Sequence, residues 1–130
     1  MKRIALAILF VVCLISFANA KAQRQRQTQP CENAPSQYEA DECAHKEYVA
    51  ADAELNKVYN QLAAKLEAGG RAKLKAAEAS WLKYRDDNCA YEEELYEGGS
   101  MQPLIYSSCL ERMTKSRTTE LRGQLKDLNQ

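Results

Sequence analysis

Three charged residues of this 130-residue chain fall on apolar helical stripes, where a charged side chain is rarely buried unless it is paired. Asp52 stands among regularly spaced leucines, Arg85 follows Trp81 by one helical turn, and Arg117 interrupts a third stripe. Such groups could bind an anion or another ligand between the helices, or they could fix the helix register. We favour the structural network, because a half-satisfied one is costly. Asp52, Arg85 and Arg117 are expected to be mutually close and largely buried, with Asn56 and Tyr59 completing the hydrogen bonds.

Four cysteines, Cys31, Cys43, Cys89 and Cys109, are typical of the disulfide framework of a small exported domain. Cys89 lies nine residues before the Gly98-Gly99 turn and Cys109 lies ten after it, so a helical hairpin brings them to nearly the same height. The same construction on the first hairpin leaves Cys43 about 10 Å from the level of Cys89, which is too far for a disulfide. The geometry therefore predicts the pairs Cys31–Cys43 and Cys89–Cys109.

No residue arrangement typical of catalysis is present in the sequence. His45 is the only histidine, and the thiols are expected to be oxidised, so no nucleophile has a base. Adjacent carboxylates occur at Asp86-Asp87 and Glu92-Glu93-Glu94, but neighbours on a helix point to different faces, as in a solvated charge run. The cysteines form no C-x-x-C motif that would indicate zinc. The sequence therefore predicts no enzyme, no metal site and no cofactor.

The first twenty residues have the pattern of a cleavable export signal. Lys2 and Arg3 precede the apolar run 4–17, and Ala18-Asn19-Ala20 is an A-x-A cleavage site. The run is shorter than the roughly 20 residues of a membrane helix, and a retained anchor is the alternative. The next ten residues are polar and without period, as in a disordered linker. We expect a signal peptide over 1–20, a linker over 21–30 and a periplasmic or secreted helical domain over 31–130, without a stable membrane anchor.

Helical periodicity begins at a capping box, Ser36 to Glu39, and is predicted to run to Leu66. Gly69-Gly70 is the predicted stop signal, because glycine is favoured just after a helix. The expected apolar stripe of this first helix comprises Asp52, Leu55, Tyr59, Leu62 and Leu66.

Two further helices are predicted, and no strand pattern appears. The second runs over about 71–96 and ends at Gly98-Gly99, while the third is capped by Ser100, has Pro103 in its first turn and reaches about Leu128. The expected stripe of the second helix is Leu74, Ala77, Trp81, Tyr84, Tyr91 and Leu95, and that of the third is Leu104, Leu110, Met113, Leu121, Leu125 and Leu128. The sequence thus predicts an all-α fold, an antiparallel three-helix arrangement stapled by two disulfides.

Three sequence blocks resemble the LprI-type lysozyme-inhibitor domain family. They are Asp52-x-x-Leu55-Asn56-x-x-Tyr59, Trp81-x-x-Tyr84-Arg85-Asp86-x-x-Cys89, and Cys109-Leu110 with Thr114-x-x-Arg117-x-x-x-Leu121. The resemblance covers residues 31 to about 125 and implies a small, helical, disulfide-bonded envelope domain, of which at least one member is described as inhibiting lysozyme. That member is a lipoprotein, whereas here Val11 and Val12 precede Cys13 in place of the small residues of a lipobox. The family has no agreed inhibitory residues, so none is transferred to this chain.

Charge indicates how such a domain could bind. Residues 31–130 carry 13 basic and 18 acidic side chains, which favours cationic partners and argues against nucleic acid, although plain solubility is the alternative reason. Lysozymes are often basic, with two carboxyl groups in the cleft. The segment 92–100 offers glutamates, a tyrosine anchor and a Gly-Gly turn, and the alternative is an ordinary solvated helix end. Its candidate protein-binding residues are Glu92, Glu93, Glu94, Tyr96, Glu97, Gly98, Gly99 and Ser100.

Two functional hypotheses therefore remain open at the level of the sequence. The first is an exported non-enzymatic binding domain that inhibits a basic lysozyme-type muramidase. The second is an envelope structural or adaptor domain whose partner is another envelope protein or the cell wall. Salt dependence separates them, because steered binding to a basic enzyme weakens as salt rises.

Overall fold

Three long helices form the unit Ala34–Gln130 in the computed structural model, which describes residues 31–130 of the chain. Helix α1 spans Gln37–Lys65, α2 spans Ala68–Glu94 and α3 spans Gln102–Asp127. The chain divides before Ala34, and the described part of the preceding unit is a 3-10 helix, Cys31–Asn33. The predicted signal peptide and linker lie outside the described residues. The prediction of an all-α, three-helix fold is confirmed.

Helices α2 and α3 run antiparallel. Glu78, early in α2, pairs with Arg117 at 3.0 Å, whereas Glu92, late in α2, pairs with Arg112 at 2.8 Å. The order of the partners is thus reversed along α3. The disulfide Cys89–Cys109 lies on the same interface, with 5.5 Å between the Cα atoms.

Helices α1 and α3 run parallel and pack most closely of the three pairs. Glu47 pairs with Lys115 and Glu54 pairs with Arg122, and both pairs keep the same offset of 68 residues. Small side chains at the contact allow two helix backbones to approach closely. The buried residues are Ala40, Ala44, Ala51, Leu55, Val58 and Leu62 of α1, and Ser107, Cys109, Leu110, Thr114, Thr118 and Leu121 of α3.

The buried core contains two apolar clusters. One consists of Leu55, Val58, Leu62, Leu74 and Leu121, with Trp81 and Tyr59 packed against it. The other consists of Cys89, Cys109 and Leu110, with Tyr48, Tyr106 and Met113 packed against it. Because the first cluster uses the late residues of α1 and the second the late residues of α2, the two occupy opposite halves of the bundle.

The predicted start of α1 is confirmed, its predicted end at Leu66 is within one residue of the observed end, and the predicted stop signal is wrong. Ser36 is the N-cap, and its hydroxyl accepts a hydrogen bond from the Glu39 backbone N–H at 3.3 Å. The helix ends at Lys65, and only two extended residues, Leu66 and Glu67, precede α2. Gly69-Gly70 therefore lies in the first turn of α2 and does not end α1. The two-residue link reverses the chain without a left-handed glycine, since neither Gly69 nor Gly70 has a positive φ.

Two predictions about α2 and α3 are also corrected. Tyr84, Tyr91 and Leu95 are exposed, although the stripe of α2 was expected to bury them, and Ala77 and Leu128 are exposed as well. Ser100 does not cap α3, whose N-cap is Met101 without a side-chain hydrogen bond, and Pro103 stands in the first turn as predicted. The stripe of α2 was misplaced because several inward positions of this helix carry polar side chains.

Candidate functional site

A layer of polar and aromatic side chains separates the two apolar clusters, and Arg85 is its centre. The Arg85 side chain is 7% exposed, and its guanidinium contacts all three helices. Nε and Nη2 donate to Oδ1 of Asp86 at 2.9 and 2.8 Å, and Nη1 donates to Thr114 Oγ1 at 3.3 Å. The guanidinium carbon also lies 5.4 Å from the ring centroid of Trp81 and 5.5 Å from that of Tyr48.

Ionisation of Arg85 is retained in this layer. Burial opposes the charged form, but the hydrogen bond to Asp86, together with the charges of Asp86 and Asp52, outweighs it and raises the pKa of Arg85. A buried guanidinium with carboxylate, hydroxyl and aromatic partners is well satisfied. It therefore connects side chains of all three helices.

Asp52 is the α1 partner of Arg85 and is more exposed than the sequence predicts. Its carboxylate lies 3.5 Å from Arg85 Nη1, but the side chain is 38% exposed. Asn56 is exposed and donates to the Asp52 carboxylate and to the Asp52 backbone carbonyl, each at 2.9 Å. Tyr59 packs against the apolar cluster of the neighbouring layer.

Arg117 does not join Asp52, in contrast to the prediction. It pairs with Glu78 of α2 at 3.0 Å, where both side chains are 12% exposed, and with Glu120 of its own helix. Its guanidinium carbon lies 5.8 Å from the Trp81 ring, whose other cationic neighbour is Arg85. Both arginines thus contact the indole ring of Trp81, and each pairs with different carboxylates.

Sequence reasoning missed Glu78, Tyr48 and Thr114 in this layer. Glu78 stands seven residues before Arg85, which is two helical turns on the same face, and this spacing was the available signal. Thr114 is fully buried and has a short polar side chain that no hydropathy pattern separates from a surface threonine.

The predicted Cys89–Cys109 disulfide is present, and Cys31 and Cys43 are disulfide-bonded too, so the two-disulfide framework is confirmed. Met113 Sδ lies 3.7 Å from Cys89 Sγ. The disulfide is buried and ties the last turns of α2 to α3. It therefore fixes the base of the segment that connects these helices.

The segment between α2 and α3 is a tight, internally hydrogen-bonded turn. The Gly99 N–H donates to the Tyr96 carbonyl at 2.9 Å, and the Gly98 N–H donates to Gln102 Oε1 at 3.3 Å. Gly98 has φ of 73°, a left-handed conformation that favours glycine. A Cβ at Gly99 would lie 3.1 Å from the Tyr96 carbonyl oxygen. The two glycines give the turn a defined shape.

This turn exposes apolar side chains beside acidic ones. Leu95 is 70% exposed and Tyr96 is 42% exposed, and Met101 and Tyr91 are exposed nearby in the chain. Glu94, Glu97 and Ser100 are exposed, and Glu93 is partly buried. Of the predicted binding residues, Glu92 is already engaged, because its carboxylate accepts two hydrogen bonds from Arg112 at 2.8 and 2.9 Å. That hydrogen bonding lowers the pKa of Glu92, against a smaller opposing effect of burial.

Charge is distributed unequally along the bundle. One end, here called the acidic end, consists of residues 34–46 and 86–112 and carries ten acidic and two basic side chains. The opposite end, here called the basic end, consists of residues 56–75 and 118–130 and carries seven basic and three acidic side chains. The parallel course of α1 and α3 creates this asymmetry, since it places the early residues of both helices beside the α2–α3 turn.

A groove of 410 Å³ lies between α1 and α3. Its floor includes Ala51 and Thr118, and the Glu47–Lys115 and Glu54–Arg122 ion pairs cross it. Its charged groups are therefore paired with each other. Within residues 31–130, no group of three or more His, Cys, Asp or Glu side chains could hold a metal ion, and no helix has the length and apolar character needed to cross a membrane.

Comparisons of the sequence and the structure with known proteins identify the family of this chain. An uncharacterized protein of Rhizobium meliloti (strain 1021) is 36% identical over 135 residues, which cover 94% of this chain and 94% of that protein. The crystal structure of a DUF1311 family protein from Pseudomonas putida KT2440 shares the fold, with a TM-score of 0.63 and 24% identity over 73% of this chain and 96% of that one. The family model described as "Lysozyme inhibitor LprI" matches residues 28–121. With most of its length inside that match, the chain belongs to the LprI lysozyme inhibitor family.

Proposed function

We propose that this protein is an exported, non-enzymatic binding domain that inhibits lysozyme-type muramidases through its acidic end. The observation that carries the proposal is the exposure of Leu95 and Tyr96 beside Glu94 and Glu97 on a turn of defined shape. Family membership supports the class of partner, and the two disulfides support an oxidising compartment such as the periplasm or the extracellular space.

The chemistry of the acidic end suits a basic enzyme. Among residues 31–130, no ion pair engages Glu94 or Glu97, so their charges remain available to a partner. Acidic groups steer a basic protein to the encounter and set the association rate. Apolar and aromatic anchors then hold the complex, and tyrosine is enriched among such anchors. Tyr96 and Leu95 are the proposed anchors, and Gly98 and Gly99 shape the turn that presents them.

A cell-wall lysis assay with several lysozyme types tests the proposal. The purified protein should slow lysis by basic lysozymes, and the inhibition should weaken as salt rises. Tyr96→Ala should accelerate dissociation from an immobilised lysozyme about thirtyfold, which corresponds to an anchor worth about 2 kcal/mol. Failure of the parent protein to inhibit any lysozyme would overturn the proposal and favour the adaptor hypothesis.

A matched pair of charge variants locates the site. Glu94→Gln with Glu97→Gln should lower the association rate, and the loss should shrink at high salt. Glu67→Gln with Asp127→Asn removes two exposed carboxylates at the basic end and serves as the control. Equal losses in both double variants would show that net charge alone matters and would move the binding site away from residues 92–100.

A further inference from the structure

Within residues 31–130, the basic end carries a set of lysines without carboxylate partners. Residues 31–130 contain eight lysines, and four of them, Lys46, Lys57, Lys83 and Lys115, form ion pairs with carboxylates. Among the described residues, the other four have no such pair, and all of them belong to the basic end: Lys65, Lys73, Lys75 and Lys126. All four side chains are exposed. The free positive charge of the bundle is therefore concentrated where α1 and α3 end and α2 begins.

Arg71 and Leu128 add to the surface formed by these lysines. Arg71 is exposed, and its guanidinium donates to the Leu66 carbonyl at the α1–α2 link. This hydrogen bond keeps a fifth positive charge at the basic end. Leu128 is exposed one turn or less beyond Lys126. Basic side chains together with an exposed apolar one are a combination found on protein surfaces that lie on anionic membranes.

We infer that the basic end binds the phosphate headgroups of an anionic phospholipid surface. Four lysines on flexible stems, spread over the ends of three helices, suit a plane of many phosphates better than one enclosed ligand. A flexible polyanion that wrapped along the bundle would also meet the acidic end, with its ten carboxylates. A flat surface meets the basic end alone.

The length of the bundle makes this one-ended contact possible despite the negative net charge. Helix α3 has 26 residues and is about 39 Å long. Electrostatic interactions are screened over about 8 Å at physiological ionic strength. The surface therefore attracts the basic end while its repulsion of the acidic end is screened. The protein would stand on the surface with its acidic end facing the aqueous phase.

Vesicle sedimentation tests the inference with the whole protein. Phosphatidylcholine vesicles that contain phosphatidylglycerol should bind it, pure phosphatidylcholine vesicles should bind it less, and added salt should release it. Each basic side chain at an anionic surface strengthens partitioning about fivefold. The triple variant Lys73→Gln, Lys75→Gln and Lys126→Gln should therefore lower the partition coefficient about a hundredfold.

The matched control removes three lysines that already have carboxylate partners, by Lys46→Gln, Lys83→Gln and Lys115→Gln. This control variant should change partitioning far less, although it removes the same three positive charges as the first triple variant. The reverse variant, Glu67→Lys with Asp127→Lys, should strengthen binding more than tenfold. Equal losses in the two triple variants, equal binding to both vesicle types, or binding of inorganic phosphate without any binding to vesicles would each overturn the inference. None of these outcomes depends on inhibition of a lysozyme.

Discussion

The polar layer in the middle of the bundle and the acidic end are built from similar residue types but have different surroundings. In the layer, Arg85 and Glu78 are largely buried and every charge meets an opposite charge. At the acidic end, Glu94 and Glu97 are exposed and unpaired among the described residues. Buried charges that are fully paired give the helices their register, whereas exposed unpaired charges remain free to meet a partner. The comparison predicts that substitutions in the layer change stability and that substitutions at the acidic end change binding.

The largest expected effect is that of Arg85→Ala. The variant loses two carboxylate contacts, a hydrogen bond to Thr114 and stacking on two rings, so we expect it to lower the free energy of unfolding by about 3 kcal/mol. Urea unfolding measures the loss, and Lys83→Ala, an exposed ion-pair variant two residues away, is the control. A loss below that of the control would show that the layer does not fix the fold.

Arg117 offers a comparison within one side chain, because one of its carboxylate partners is buried and the other is exposed. Glu78→Gln should cost about 2 kcal/mol, since it leaves a largely buried arginine with one partner fewer. Glu120→Gln should cost less than about 0.5 kcal/mol, because the Glu120 side chain is 56% exposed. Thermal unfolding compares the stability losses of the two variants. Equal melting temperatures would contradict burial as the reason why the Glu78 pair contributes more than the Glu120 pair.

Asp52→Ala should lower the free energy of unfolding by about 1 kcal/mol. From the sequence alone a cost of roughly 3–5 kcal/mol is expected, on the assumption of a fully buried pair. The structure lowers this value, because Asp52 is 38% exposed and Arg85 keeps Asp86 after the substitution. Chemical denaturation measures the difference, and a loss comparable with that of Arg85→Ala would mean that Asp52 is the principal partner.

The Glu92–Arg112 pair should give a small, pH-dependent contribution at the border between the two regions. Because the pKa of Glu92 is below its ordinary value of 4.5 in the folded protein, the pair stabilises the fold above that pH. The contribution is lost as the pH falls through the lowered pKa. Arg112→Gln should therefore lower the free energy of unfolding by less than about 1 kcal/mol at neutral pH, and by almost nothing at an acidic pH below the lowered pKa of Glu92. A constant difference at both pH values, measured by urea unfolding, would exclude the ion pair as its source.

The smallest expected effect on stability is that of Tyr96→Ala, at less than about 0.5 kcal/mol. Tyr96 is exposed on the turn, and its ring fills no part of either apolar cluster. Differential scanning calorimetry of the variant should match the parent. A clear loss of stability would place Tyr96 among the structural residues and would weaken its proposed role as a binding anchor.

Local patterns predicted most of the helices, and the errors have physical causes. Ser36 caps α1 because a serine before an apolar repeat can accept a backbone N–H, and that signal is local. Gly69-Gly70 was assigned to the wrong side of the link, because a pair of glycines can follow a helix or begin one. The inward face of α2 was misplaced because Glu78, a charged residue that hydropathy assigns to solvent, faces the interior and pairs with Arg117.

The amino-acid sequence by itself determined the three helices, the disulfide pairing of Cys89 with Cys109, and the approximate place of the polar residues among apolar ones. These depend on helical spacing and on the length of a hairpin, which are properties of neighbouring residues. Only the tertiary structure decided which carboxylate serves which arginine, since Asp52 and Glu78 reach Arg85 and Arg117 from different helices. The tertiary structure also decided the unequal charge of the two ends of the bundle. The parallel packing of α1 and α3 gathers acidic residues from distant parts of the chain at one end, and at the other it gathers lysines that have no ion pair among residues 31–130. No local pattern specifies that arrangement.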